Sequence, residues 1–209
     1  MTISLENLED KNLFDDADLL AIKEIEKVVG SAQDKWAHND FSVIYKKIKR
    51  LLLDEQDKRC FYCQKQNLTA EMDDWHIDHI VPIDEDERFT FCDRNFVIAC
   101  KGCNRKKNNK AVWVKKPKKN VYSKNPKNYR IVHPRFDTYS KNIDILGDMF
   151  YVGVTPKGRR TVHDCLLDRF LLAYYASIKS ADRPFVEGAM KLLFSGDPKT
   201  LIGFIKAMP

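Results

Sequence analysis

Four cysteines, an aspartate beside a histidine, and two asparagines are the side chains whose types and spacing suit chemistry in this sequence. Cys60 with Cys63 and Cys100 with Cys103 form two CxxC pairs. A two-residue spacer lets both sulfurs of a pair reach one tetrahedral ion, and four thiolates close the tetrahedron without leaving a catalytic position. The pairs predict a structural zinc site. The gap between them is longer than the roughly 15 to 20 residues of a simple zinc ribbon, so something is built inside it. Inside lie His76-Ile-Asp78-His79-Ile-Val-Pro82 and Arg94-Asn95. A hard cation such as Mg²⁺ takes oxygen ligands, which suits Asp78, and an imidazole that is mostly neutral at cellular pH suits a proton acceptor at His79. Together they fit metal-assisted phosphodiester hydrolysis. Asn104 offers a neutral oxygen to complete the metal site, and Asn95 is placed to fix the ring nitrogen of His79 that catalysis leaves unused. His76, two residues before Asp78, shares its strand face as an extra ligand, a substrate contact or a structural partner.

The elements that must position these groups follow from periodicity. Apolar residues at Leu19, Leu20, Ile22, Ile25, Val28 and Val29 predict a helix over about 15–29, stopped by Gly30. Ile44, Ile48, Leu51 and Leu52 predict a second over about 41–56. His76 to Val81 and Phe96 to Ala99 read as strands of a hairpin clamped at its base by zinc, and a helix starts after Lys101. Residues 144–154 read as one or two strands, with a turn at Pro156 to Gly158. Thr161 with Asp164 resembles a capping box opening an apolar helix through Ile178, and Asp182 and Asp197 are N-cap candidates for two further helices. The expected class is α+β in four stretches: helical residues 1–57, a zinc-stabilised core at 58–110, a basic irregular arm with strands at 111–160, and a helical subdomain at 161–209.

With 209 residues, 44% of them hydrophobic, the chain can bury a real core. No apolar run approaches the roughly 18 residues that span a bilayer. Acidic residues before Leu20 oppose a secretory signal, so the expected location is cytoplasmic, where thiols stay reduced. The formal charge is only +6, but from Lys101 to Arg130 there are twelve Lys and Arg and no Asp or Glu. Arg105, Lys106, Lys107, Lys110, Lys115 and Lys116 are the candidate phosphate contacts. Trp113, Tyr122 and Tyr129 are interleaved with the cations, a composition that suits stacking on bases. The acidic stretch from Glu71 to Glu87 abuts this basic one.

The order CxxC, Asp-His-Ile-Val-Pro, Asn and CxxC-Asn-x-x-Lys, from Cys60 to Lys107, resembles the HNH family of ββα-metal nucleases, in its subgroup with a four-cysteine zinc site. The resemblance implies a hairpin and helix around one divalent metal, Mg²⁺ or Mn²⁺. It further implies His79 as general base, Asp78 and Asn104 as ligands, and Asn95 as the asparagine that orients the base. The third family letter is Asn104 here rather than histidine, which favours a hard cation over a transition metal. The run Lys49 to Cys63 and the segment His133-Pro134-Arg135-Phe136-Asp137 also resemble bacterial HNH proteins of anti-phage defence, including the HNH subunit of Septu-type systems. The expected activity is endonucleolytic hydrolysis of DNA. No GxxxxGK[ST] run is present, so any ATP dependence would come from a partner such as an ATPase subunit. The rival readings are a non-catalytic, zinc-dependent nucleic-acid-binding or adaptor module, and an RNase.

Overall fold

The computed structural model describes residues 5, 6, 8–68, 71–179, 183–195 and 198–206. Three helices lead: α1 (Asp16–Glu26), α2 (Ala32–Trp36) and α3 (Phe41–Glu55). Asp15 caps α1 through a reciprocal capping box with Asp18, and Ser31 caps α2 in the same way with Asp34. Of the apolar residues expected to define α1, Ile22 and Ile25 are buried while Leu20 and Val29 face solvent. Lys47 of α3 reaches both Asp15 and Asp18 at 2.5 Å, fixing α1 against α3. Phe41, Ile48 and Leu52 of α3 are fully buried, whereas Leu51, expected on the same apolar stripe, is exposed.

α3 ends in a Schellman turn: Lys58 N–H donates to Leu53 O, Asp57 N–H donates to Asp54 O, and Asp57 takes a left-handed φ of 48°. That reversal delivers the chain to Cys60. The central unit is a two-stranded antiparallel hairpin, β1 (Trp75–His79) with β2 (Phe96–Cys100), followed directly by α4 (Lys101–Lys107). The register pairs Trp75 with Cys100, Ile77 with Ile98 and His79 with Phe96. The outer edge of β2 is closed by a side chain: the Gln56 amide accepts from Ile98 N–H at 2.7 Å and donates to Ile98 O at 2.9 Å.

The segment after α4 does not project as an arm. Val112, Trp113, Tyr122, Tyr129, Ile131 and Val132 are buried in the main core. The physical reason is the acidic stretch it abuts. Glu85 accepts from the backbone N–H groups of Val112 and Trp113, Lys116 reaches Glu85 O at 3.0 Å, and Arg88 reaches Pro117 O at 2.9 Å. The two oppositely charged stretches fold onto one another, and the aromatic rings expected to stack on bases pack together instead.

A second hairpin, β3 (Ile143–Leu146) with β4 (Phe150–Gly153), turns through Gly147 and Asp148, both at φ 56°. α5 (Pro156–Asp164) packs against it at Gly153 and Gly158, where an added Cβ would collide with the opposing backbone. Pro156 to Gly158, expected as a turn, is the first turn of α5, with Thr155 as N-cap and Pro156 at N1. Thr161 therefore lies inside a helix and caps nothing. Nor does one helix run through to Ile178, because a second Schellman turn closes α5, with Leu166 at φ 47° and Leu167 N–H donating to Val162 O. α6 (Arg169–Ser177), α7 (Arg183–Phe194) and α8 (Pro198–Lys206) follow. Leu171, Val186, Ala189 and Leu201 join Phe150 and Val152 of β4 in a small second core. The N-cap candidates Asp182 and Asp197 lie outside the described residues. No helix among the described residues is long and apolar enough to cross a membrane.

Candidate active site and metal centre

Cys60 and Cys63 sit in the turn after α3, Cys100 closes β2, and Cys103 lies in the first turn of α4. Their four Sγ atoms all lie within 4.8 Å of one another. Among the described residues they are the one group of three or more His, Cys, Asp or Glu gathered closely enough to hold a metal. Burial pushes the Cys60 thiol up, contact with Cys100 pushes Cys63 and Cys103 up, and Cys100, hydrogen-bonded chiefly by Cys103, is pushed down. Four such thiols ionise together only around a cation. All-sulfur donors in a closed, buried cluster fit structural zinc. One contact here has no precursor in the cysteine pattern: Arg169 Nη2 lies 3.1 Å from Cys103 Sγ, while its Nη1 donates to the carbonyls of Cys165 and Leu166 that end α5.

β1 carries Asp78 and His79 away from this cluster to a cavity of about 310 Å³ that Asp78, His79, Asn104 and Arg105 all line, with Gln33 and Asp84 at its rim. Asp78 is 6% exposed and doubly held. Tyr62 Oη donates to its Oδ2, and Lys107 Nζ lies 3.2 Å from its Oδ1. Burial raises the carboxyl pKa, and Lys107 and Tyr62 oppose that rise. Lys107, expected among the phosphate contacts, is 1% exposed, and its Nζ also donates to His79 O at 2.7 Å. The helix explains this placement, because residues 103 and 107 share the inward face of α4. His76 is half-buried and does not line the cavity.

His79 is gripped on three sides. Trp36 of α2 meets its ring edge-on at 4.4 Å between centroids, and Phe96 does so at 5.2 Å. Its Nε2 lies 2.9 Å from Thr90 O. A carbonyl only accepts, so Nε2 carries the proton and Nδ1 the free lone pair. Burial lowers the ring pKa to about 4, against the pull of the Thr90 carbonyl, so the imidazole is neutral near pH 7.

Asn95 lies immediately before β2, at the base of the loop between the strands. Its amide does not touch the His79 ring, as the sequence suggested, but ties the loop itself. Oδ1 accepts from Val81 N–H at 2.8 Å, and Nδ2 donates to Val81 O at 3.0 Å and Phe89 O at 3.1 Å. Phe89 precedes Thr90, so the asparagine holds the carbonyl next in the chain to the one that holds the histidine.

Of the remaining basic candidates, Arg105, Lys115 and Lys116 are exposed, and Lys106 and Lys110 half-buried. Lys110 donates to Asp164 O at 2.5 Å, and Lys116 lies 3.6 Å from Asp86. Sequence reasoning passed over Tyr62, Trp36, Thr90 and Arg169, and read Tyr122 as a ring for stacking on bases. Of the four passed over, only Tyr62 had a signal, its place between two paired cysteines.

Residues 60–110 match the family model described as HNH endonuclease. Neither the characterised proteins nor the solved structures return a match to the chain. The matched span holds the cysteine cluster, the antiparallel hairpin, the helix that follows it and the cavity shared by Asp78, His79 and Asn104, and it is over residues 60–110 that this chain is similar to an HNH endonuclease domain.

Proposed function

We propose that the chain is an endonuclease that hydrolyses DNA phosphodiester bonds with His79 as general base. The observation that carries this reading is the pairing of a neutral, tautomer-fixed His79 with Asp78 and Asn104 around one cavity. Thr90 O holds Nε2–H, which leaves Nδ1 to take the proton of an attacking water and lets the carbonyl stabilise the imidazolium that forms. Asp78 and Asn104 are hard oxygen donors suited to Mg²⁺ or Mn²⁺. A divalent cation bound there would stabilise charge on the phosphate and on the leaving oxygen. Arg105, which lines the cavity, together with Lys106, Lys110, Lys115 and Lys116, supplies cations for the flanking phosphates.

The test is cleavage of supercoiled plasmid by purified protein with Mg²⁺ or Mn²⁺, against chelator and against His79→Ala. Nicked or linear product that needs both metal and His79 supports the reading. A zinc-loaded, folded protein that binds DNA without cutting it favours the non-catalytic module, and preferential cutting of structured RNA favours an RNase. A place in bacterial anti-phage defence, beside an ATPase partner, belongs to this same reading. It is carried by the likeness of Lys49–Cys63 and His133–Asp137 to such proteins, and co-purification of the chain with a native ATPase tests it.

A further inference from the structure

Asn95 uses every hydrogen-bonding position it has. Its two N–H groups go to Val81 O and Phe89 O, one lone pair of Oδ1 takes Val81 N–H, and the other lies 3.0 Å from Tyr122 Oη. Because Val81 N–H fixes which amide atom is oxygen, the Tyr122 hydroxyl must donate to it. Tyr122 Oη is also 3.0 Å from His133 Nε2, and with its proton committed to Asn95 it must accept there. His133 therefore carries its proton on Nε2, consistent with Arg135 N–H donating to Nδ1 at 3.2 Å. Four groups form a one-way chain: Arg135 N–H to His133, His133 to Tyr122, Tyr122 to Asn95, and Asn95 to the loop that carries Thr90.

Every side-chain member is buried, with His133 at 0%, Asn95 at 1% and Tyr122 at 7% exposure. A satisfied polar chain in a low-dielectric interior favours one arrangement, because each misplaced member leaves a donor or acceptor without a partner. The rings are held independently. Tyr122 meets Phe89 edge-on at 5.0 Å, and His133 stacks on Phe136 at 4.3 Å and 15°.

We propose that Tyr122, oriented by His133, is a positioning residue for His79, acting through Asn95 and the Thr90 carbonyl. The segment after α4 then serves the reaction as a brace behind the catalytic loop. The effect on turnover rests on the nuclease reading above; the bracing itself does not.

Tyr122→Phe keeps the ring and its packing and removes only the hydroxyl. In full-length, zinc-loaded protein it should speed hydrogen exchange of the Val81 amide about tenfold and lower kcat for plasmid cutting about tenfold, with KM and zinc content unchanged. Asn95→Ala should lower kcat by at least as much, and adding Tyr122→Phe to it should cost no further turnover, since the hydroxyl reaches His79 only through Asn95. His133→Gln, which keeps a donor facing Tyr122, should retain most of the turnover that His133→Phe loses. Unchanged Val81 exchange in Tyr122→Phe overturns the bracing. An unchanged kcat, a loss that appears in KM alone, or additive losses in the double variant overturn the positioning role. If the wild-type protein cuts neither DNA nor RNA, the nuclease reading and the positioning role fall together, while Val81 exchange still decides the bracing.

Discussion

The phenol of Tyr62, which sits between the two cysteines of the first pair, donates to the carboxylate of Asp78 in the cavity. The same knuckle is held from behind, because Tyr139 Oη donates to Tyr62 O at 2.7 Å and Tyr151 Oη to Cys63 O at 2.6 Å. The cysteine cluster therefore orients the carboxylate as well as holding the fold. Tyr62→Phe should leave zinc content and thermal stability close to wild type. It should weaken Mn²⁺ binding at Asp78 about tenfold, the size expected for one hydrogen bond to a charged group. A manganese titration followed by electron paramagnetic resonance checks this without turnover, and unchanged affinity would show that Asp78 does not need the phenol.

Zinc removal should be far more severe. Cys63→Ser, or prolonged chelation, should lose the zinc and the cooperative unfolding transition together, because the cluster ties the turn after α3 to β2 and α4. Zinc content and circular dichroism of the same sample check this. Arg169→Gln should be milder. It removes the guanidinium beside the Cys103 sulfur and should lower zinc affinity about tenfold in chelator competition, with the described core intact.

The parts legible in the sequence are those written in local spacing. Two CxxC pairs announce a four-sulfur site, the Ile44–Ile48–Leu52 stripe announces α3, and Asp78 beside His79, with Asn104 next to Cys103, announces the cavity. The illegible parts depend on partners distant in the chain. Whether Tyr122 stacks on a base or braces Asn95 is decided by Glu85 and Arg88, which dock the segment after α4 against the loop. Whether Lys107 meets phosphate or Asp78 is decided by the face of α4 that Cys103 turns inward. The break between α5 and α6 has no glycine to mark it, since Leu166 takes the left-handed position while Arg169 reaches the cysteines.

The two fates of the basic residues separate by salt. Replacing Arg105, Lys106 and Lys115 singly with alanine should weaken DNA binding and reduce the slope of log affinity against log salt by about 0.9 for each phosphate that is no longer neutralised. Lys107→Met should leave that slope unchanged and instead destabilise the fold by about 3–5 kcal/mol, since it strands a buried carboxylate without its cation. Fluorescence anisotropy across a salt series, with denaturant unfolding of the same variants, distinguishes the two. A changed slope in Lys107→Met would place that ammonium at the DNA.

Acid should act on the fold through His133. Burial, with Lys157 and Arg135 nearby, holds its folded pKa well below the usual value, whereas the unfolded chain takes up a proton near pH 6.5. The titratable and charged groups around the ring are Tyr122, Tyr129, Arg135, Asp137, whose carboxylate accepts from the His133 backbone N–H, and Lys157. Its folded pKa is lowered, so its contribution is fully present above pH 6.5 and is lost as pH falls below it. The slope approaches about 1.4 kcal/mol per pH unit while the folded ring stays neutral. His133→Gln cannot take up that proton. The stability difference between wild type and His133→Gln, measured by denaturant unfolding with zinc retained, should therefore be flat from pH 8 to 7 and shrink steadily toward pH 5.5. The geometry gives the reason: a proton on Nδ1 would point at Arg135 N–H, set two donors face to face and break the chain at its first link. A difference that stays constant through pH 5.5 would mean that the buried ring tolerates its charge and that the chain does not run in the direction drawn.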